Sequence, residues 1–433
     1  MSTAPPESQW FTTRLRAWYD RFQGGRAVVL AWLVTRLLMF ALAALAERSV
    51  MDDVFHYHRS ISALTSLGLG KILNEYPTPV VWILWLPYGA TDGTPNGYLT
   101  VFVIFMIALD AGFAWALWRA AGRRRDSASD FWLFFVFLIG PLCYVRFDML
   151  PAVLAGGALL AARRRPWITG ALTGLGAALK LWPALLFPSF LAHRPDRRAV
   201  TWGFLGVGLG LALLSLILGG WIRLVSPLTW QSGRGLQIES IWATPLMMAR
   251  AVRPGEWIVD YSKFQAFEIF GPGVSALLLF SNLATVAGLV VIIALYARGF
   301  RNPQPTPVAI GLVVLATVAI MTITNKTLSP QYLLWLGGPM AALLILRGQA
   351  TEQEKPTLRR LAIQLLVLAA LTQLVYPLLY DSLLGRDGRV MIIISTVVTT
   401  VRNLALVAFT VEVCRLAWRL LARDDQRVSS SAR

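Results

Sequence analysis

The stretch VSALLLFSNLATVAGLVVIIALYA, residues 274–297, contains no charged residue and ends immediately before Arg298. As an α-helix it is long enough to cross the hydrocarbon core of a bilayer, which is roughly 30 Å thick. Similar apolar runs recur along the whole chain, and together they predict about twelve transmembrane helices. The runs are 27–46, 98–119, 131–147, 149–162, 166–179, 181–192, 200–218, 274–297, 307–323, 333–346, 361–380 and 390–412.

The composition agrees with a membrane protein. Of the 433 residues, 56% are hydrophobic and only 15% are charged, whereas soluble domains are usually about a quarter charged. The sequence therefore predicts an all-α polytopic membrane protein with one integral domain, residues 27–412. We expect residues 1–26 and 413–433 to be tails.

The distribution of charge predicts the topology. Segments on the side of the two tails carry 25 basic and 9 acidic residues, whereas the opposite loops carry 13 basic and 12 acidic residues. Because cytoplasmic loops are enriched in Lys and Arg, both tails are predicted to be cytoplasmic, in a multi-pass protein of the plasma membrane. The net charge of +17 is then a topology signal, and we expect no nucleic-acid partner.

Two long segments, 47–97 and 219–273, form the outer loops in this topology. Counting the apolar piece Val80–Pro87 as a full crossing would put the arginines that follow residue 118 on the wrong side. We therefore interpret it as a short interfacial or re-entrant helix. The first outer loop is predicted to carry amphipathic helices that lie on the bilayer.

The densest polar cluster of the chain begins the first outer loop. The stretch MDDVFHYHR, residues 51–59, contains two of the three histidines of the protein. The candidate functional residues here are Asp52, Asp53, His56, Tyr57 and His58. A structural alternative is equally consistent with these residue types: Asp52 would cap a helix that begins near Val54, with Asp53 favouring its dipole.

Four other polar clusters fall on the same predicted side. Each has a structural alternative. Arg146–Asp148 would be a local ion pair, and Lys180 would snorkel to the interface. The segment 233–240 would be a surface turn, and 325–332 a connecting turn. The ionisable residues inside the apolar runs are Arg36, Asp110, Arg402 and Glu412, and for them structural ion pairs or exposure near a helix end are favoured over a proton or ion path.

Short motifs in these clusters resemble the GT-C glycosyltransferases, and in particular glycosyltransferase family 87. The first is an aspartate in the first outer loop with a tyrosine four residues later. The segments that carry the resemblance are Asp53–Tyr57, Tyr76–Pro79 with Pro87, Gly170–Pro183, Arg234–Ser240 and Ser329–Tyr332. Thr78 stands where the family pattern usually has a second proline.

The resemblance implies a GT-C type bundle and an inverting transfer of a sugar, with mannose as the family candidate. The donor would be a polyprenyl-phosphate-linked sugar, and the acceptor a hydroxyl of a glycolipid or cell-envelope glycan at the outer (periplasmic or extracellular) face. Such a reaction needs a base for the acceptor hydroxyl and positive charge for the departing phosphate.

The resemblance also suggests roles for individual residues. Asp53 is the candidate general base, and His56 and His58 would assist it. The candidates for the donor phosphate are Lys180, Arg234, Lys326 and Arg146. The candidates for sugar and acceptor hydroxyls are Asp52, Tyr57, Glu75, Tyr76, Gln237, Glu239, Gln331 and Tyr332.

Other interpretations stay open at the level of sequence. Because Arg and Lys supply the positive charge, we expect no required cofactor, with a divalent cation near Asp52 and Asp53 as the alternative. A polytopic transporter or flippase for a lipid-linked or small polar substrate is the competing function, and a purely structural membrane protein is the third. The partners expected are the donor, the acceptor and the bilayer, with the protein a monomer.

Overall fold

The computed structural model describes residues 24–45, 51–162 and 164–431. Most of the predicted tail 1–26 therefore lies outside the described residues. The helices in chain order are α1 Gly25–Leu45, α2 Asp52–Ser62, α3 Leu64–Leu67, α4 Thr78–Gly89, α5 Pro95–Ala120, α6 Ser127–Ile139, α7 Met149–Ala161, α8 Pro166–Leu179, α9 Phe187–Phe190, α10 Arg197–Phe204, α11 Gly210–Ser232, α12 Thr244–Val252, α13 Val274–Arg301, α14 Pro307–Thr324, α15 Leu334–Leu346, α16 Lys355–Gln373, α17 Tyr380–Leu384 and α18 Arg389–Ser431.

Short turns of other helix types connect or extend several of these helices. The 3₁₀ turns are Leu69–Lys71, Gly140–Cys143, Trp182–Leu186, Arg194–Asp196, Pro330–Leu333 and Arg347–Gln349, and the π turns are Leu205–Leu209 and Leu374–Leu378. The protein is thus an all-α polytopic membrane protein with one exception. An antiparallel hairpin, β1 Ile258–Ser262 and β2 Ala266–Phe270, lies in the predicted outer loop 219–273.

Within the described ranges, seven helical stretches are long and apolar enough to cross a bilayer. They are Gly25–Leu42, Pro95–Ala120, Arg194–Ser232, Val274–Arg301, Pro307–Thr324, Lys355–Leu378 and Arg389–Ala422. Each coincides with one of the twelve predicted runs. Four more runs form the shorter apolar helices α6, α7, α8 and α15.

Several predicted boundaries differ from the structure: α6 ends at Ile139, before the predicted residue 147, and α11 continues to Ser232, beyond the predicted residue 218. Run 181–192 is not one helix, because Pro183 and Pro188 divide it into a 3₁₀ turn and the four-residue α9. The last helix does not end at residue 412, since α18 continues to Ser431.

The core is built by helices whose backbones approach closely at glycines. A Cβ atom on Gly338 of α15 would lie 2.1 Å from the carbonyl oxygen of Ala152 in α7, and one on Gly170 would lie 1.9 Å from that of Val200. By contrast, no described atom would lie within 4 Å of a Cβ on Gly206 or Gly210, so these two glycines do not mark a close approach of helices. Helix α14 is almost entirely buried and forms the centre of the bundle.

The segment predicted as the first outer loop folds as helices. The apolar piece around Val80 is the twelve-residue helix α4, and α2 is amphipathic. The buried residues of α2, Val54, Tyr57, His58 and Ile61, follow the spacing of one helical face. The charged residues of α2 therefore lie on its other side and are accessible at the end of the bundle.

Candidate active site

A cavity of about 210 Å³ lies at the end of the bundle that carries the predicted outer loops. It collects side chains from segments that are far apart in the sequence. Six residues of its lining are among the candidates named from sequence: Asp52, Asp53, Arg146, Gln237, Glu239 and Gln331.

The two aspartates occupy the first turn of α2. This helix begins at Asp52, its preceding residue is Met51, and no side chain caps it. The predicted capping role of Asp52 is therefore wrong, because Asp52 is already inside the helix. Both carboxylates are still favoured there by the helix dipole, and both face the cavity.

Asp53 is held by an arginine from another part of the chain. Its Oδ2 atom lies 2.9 Å from Nε of Arg146, whose Nη2 atom donates to the hydroxyl of Tyr376 at 3.2 Å. The side chain of Asp53 is 31% exposed, whereas that of Arg146 is 8% exposed. Burial raises the pKa of the Asp53 carboxyl, and the charges of Arg146 and His56 oppose that rise. Because the exposed part faces the cavity, water there weakens the effect of burial.

The remaining residues of the first cluster lie beside or behind the cavity. The hydroxyls of Tyr57 and Tyr76 are 3.1 Å apart and share a hydrogen bond, and burial raises the pKa of both phenols well above 10. His56 Nε2 contacts Oε1 of Glu75 at 3.0 Å, and these two side chains are partly exposed. None of these four residues lines the cavity.

His58 lies on the buried face of α2. Its Nε2 atom donates to the carbonyl oxygen of Gly93 at 2.7 Å, and its ring packs against Tyr88 and Tyr98. This position ties α2 to the loop after α4. The catalytic role predicted for His58 has no support in this geometry.

A second ion pair lies close to Tyr76. The Nζ atom of Lys180 is 2.5 Å from Oδ1 of Asp148, which also accepts a hydrogen bond from Trp335 at 2.7 Å. Lys180 is surrounded by the rings of Tyr76, Tyr332 and Trp335. Its need for an anion is thus met by Asp148, although 18% of its side chain stays accessible.

Side chains of α18 bind the loop that carries Gln237 and Glu239 and hold it in place. Nη1 of Arg402 lies 3.0 Å from Oε2 of Glu239, and its Nη2 donates to the backbone carbonyl of the same residue at 2.8 Å. The amide of Asn403 donates to that carbonyl as well, at 3.1 Å. Burial raises the pKa of Glu239, and Arg402 opposes the rise. The expectation of a structural ion pair at Arg402 is confirmed.

Arg234 and Lys326, the other predicted phosphate ligands, do not line the cavity. Arg234 Nη2 donates to the carbonyl of Phe264, and Lys326 Nζ donates to that of Ser232, each at 2.9 Å. A Cβ on Gly235 would lie 2.6 Å from Oε2 of Glu268. The absence of a side chain at Gly235 therefore makes room for the carboxylate of Glu268.

Sequence reasoning missed several residues of the cavity wall. Tyr376 and Tyr380 follow α16, and Arg386 follows α17, where it pairs with Asp381 at 2.6 Å. Tyr261 comes from the hairpin. The charged residues Asp381, Arg386 and Asp387 were a signal for part of this wall, but the predicted span 361–380 included both tyrosines and concealed them.

In the described ranges, no group of three or more His, Cys, Asp or Glu side chains is arranged to hold a metal ion. The pair of aspartates on α2 is the densest set of carboxylates at the cavity.

Comparison with known families gives one match. The model of glycosyltransferase family 87 matches residues 76–267, somewhat less than half of the chain. No curated protein matches the chain. The matched segment contains Arg146, Lys180 and Glu239 but begins after Asp53, so α2 lies outside it. The match indicates a glycosyltransferase and is consistent with the GT-C type of fold.

Proposed function

We propose that this protein is an inverting glycosyltransferase that moves a hexose from a polyprenyl-phosphate donor to a hydroxyl of a glycolipid or cell-envelope glycan. The observation that carries the proposal is the Asp53–Arg146 pair at the cavity, next to a segment that matches family 87. Mannose is our candidate sugar. The supporting argument for mannose is the family resemblance alone.

In the proposed reaction, the carboxylate of Asp53 accepts the proton of the acceptor hydroxyl. The oxygen then forms a bond to the anomeric carbon, while the bond from that carbon to the phosphate oxygen breaks. The electron pair of the broken bond leaves with the polyprenyl phosphate, and the anomeric configuration inverts. A carboxyl whose pKa is raised is a stronger base than an ordinary aspartate, which favours Asp53 for this step.

Positive charge has to stabilise the phosphate as it departs. Arg146 is our first candidate because it lines the cavity, and Lys180 is the second because part of its side chain is accessible. Asp52, Gln237, Glu239 and Gln331 would bind sugar or acceptor hydroxyls. Arg234 and Lys326 would act only by stabilising the loops that carry these residues.

We further propose that the cavity opens at the outer face of the plasma membrane and that both termini are cytoplasmic. The support is the agreement of two independent patterns. Arg146, Tyr376 and Tyr380 lie at the outer ends of predicted spans, every other cavity residue comes from a segment that the charge asymmetry assigns to the outer side, and all of them meet at one end of the bundle.

The test is an assay of purified protein with labelled polyprenyl-phosphate-mannose and a lipid extract. We expect a labelled product and free polyprenyl phosphate, and we expect Asp53→Asn to lower the rate by about 10²–10⁴-fold, as loss of a general base does. Glu256→Gln, which neutralises an exposed carboxylate paired with Arg253, is the matched control and should keep the wild-type rate.

Two outcomes would contradict the proposal. Undiminished transfer by a folded Asp53→Asn variant would exclude Asp53 as the base. Movement of the lipid across liposomes without any covalent transfer would identify a transporter or flippase instead.

A further inference from the structure

A groove between α16 and α18 lies at the end of the bundle away from the active-site cavity. It consists of two adjoining cavities of about 500 and 720 Å³ that share Arg360, Gln364 and Ala408. Helix α16 and the π turn that follows it lead from Arg360 to Tyr376 at the active-site cavity, and this stretch of 16 residues spans about 24 Å at the helical rise. The separation approaches the thickness of the bilayer core, so the groove is a different site on the opposite face.

The wall of the groove is apolar. Ile363 and Val367 of α16 are about half exposed, and the small side chains of Ala405 and Ala408 on α18 create the depression between the helices. All four residues lie in stretches apolar enough to span a bilayer. A ligand that binds along this wall would therefore contact it through hydrocarbon groups of its own.

The rim of the groove is strongly basic. Its five arginines are Arg347, Arg359, Arg360, Arg415 and Arg419. The acidic residue of the lining is Glu412, which is bound by Arg360 and accepts a hydrogen bond from Nε2 of Gln364 at 2.8 Å. The Nε atom of Arg347 is buried and has no hydrogen-bond partner among the described residues.

We propose that this groove binds an anionic phospholipid, with its phosphate among the arginines and its acyl chains along the apolar wall. Guanidinium groups match phosphate oxygens with paired hydrogen bonds, and basic pockets between membrane helices on the cytoplasmic side suit anionic headgroups. A free phosphate would leave the apolar wall unused, and a zwitterionic lipid would bring a quaternary ammonium group close to the arginines, which repel it. The proposal stands independently of the proposed enzymatic function.

Binding is tested by native mass spectrometry of the full chain in detergent, titrated separately with phosphatidylglycerol and phosphatidylcholine. We expect retention of phosphatidylglycerol at concentrations where phosphatidylcholine does not bind. The double variant Arg359→Gln/Arg415→Gln should weaken phosphatidylglycerol binding by roughly tenfold. The double variant Arg123→Gln/Arg124→Gln removes the same charge from another exposed loop and should keep wild-type binding.

A second variant tests the shape of the groove with its charges unchanged. Ala408→Trp would fill the depression and should also weaken phosphatidylglycerol binding, and a thermal scan checks that the variant is folded. Equal binding of the two lipids, an equal loss in both double variants, or unchanged binding by folded Ala408→Trp would overturn the proposal. Stabilisation by inorganic phosphate as strong as that by phosphatidylglycerol would overturn it as well.

Discussion

Asp110 and Asp53 are both carboxylates paired with an arginine, but their surroundings differ. Asp110 is fully buried and accepts five hydrogen bonds at 2.7–3.0 Å, two from Arg36 and one each from Trp32, Trp132 and Tyr144. Asp53 pairs with Arg146 and keeps 31% of its side chain exposed to the cavity. A carboxylate saturated with donors serves the fold, whereas one with accessible oxygen atoms is available for proton transfer.

The largest effect that we expect from this contrast is on the free energy of unfolding. In Asp110→Asn, Arg36 becomes a buried charge without its counterion, and breaking such a pair costs about 3–5 kcal/mol. We expect a large fall in the midpoint of thermal unfolding in detergent. Asp53→Asn should shift that midpoint far less, because its site is partly open to water.

A double variant provides the control for this measurement. Arg36→Met/Asp110→Asn removes both charges and should recover much of the lost stability, since an apolar replacement of a buried pair is often neutral. An equal loss of stability in Asp53→Asn and Asp110→Asn would mean that the two aspartates have the same structural role.

The second prediction concerns activity. Replacing Arg146 by Gln removes the charge beside Asp53, and we expect transfer to fall about 100-fold, as for loss of a group that stabilises developing charge. The base must be deprotonated, so activity rises as the pH rises through the pKa of Asp53. Because Arg146 lowers that pKa against the effect of burial, its removal should move the acidic limb of kcat/KM to higher pH.

The pH profile separates this role from a purely structural one. Assays of wild type and Arg146→Gln over the same pH range, with thermal scans of both, give the required comparison. A lower rate with an unchanged acidic limb would show that Arg146 does not act through Asp53.

Much of the fold and part of the site followed from sequence alone. Apolar runs predicted the membrane helices because the bilayer imposes their length and polarity. Residue types left Lys180 as a ligand of the donor phosphate or as a lysine that snorkels, and in the structure its partner is the carboxylate of Asp148. The density of polar residues was sufficient to find α2, since few other outer segments combine so many ionisable side chains.

The pairing within the site did not follow from sequence. Arg146 and Asp148 are close enough in the chain to predict a local pair, yet the partners the structure gives them are Asp53 and Lys180. The helical register of α2 separated His56 from His58 and turned His58 towards Gly93. Such choices depend on tertiary packing, and a single sequence does not encode them in any local pattern.

The smallest effect that we predict is a difference between variants of His56 and of His58. The charge of His56 lowers the pKa of Asp53, so His56→Gln should move the acidic limb of activity to higher pH, though by less than Arg146→Gln does. We expect its rate to fall only a few-fold, as for other modest losses of electrostatic support. His58→Gln should leave the position of the acidic limb unchanged and lower the unfolding midpoint, because it loses a buried hydrogen bond worth about 1 kcal/mol. A shift of the limb in His58→Gln, or none in His56→Gln, would reverse the assignment. The division between residues that hold α2 in place and residues that act on Asp53 would then have to be drawn differently.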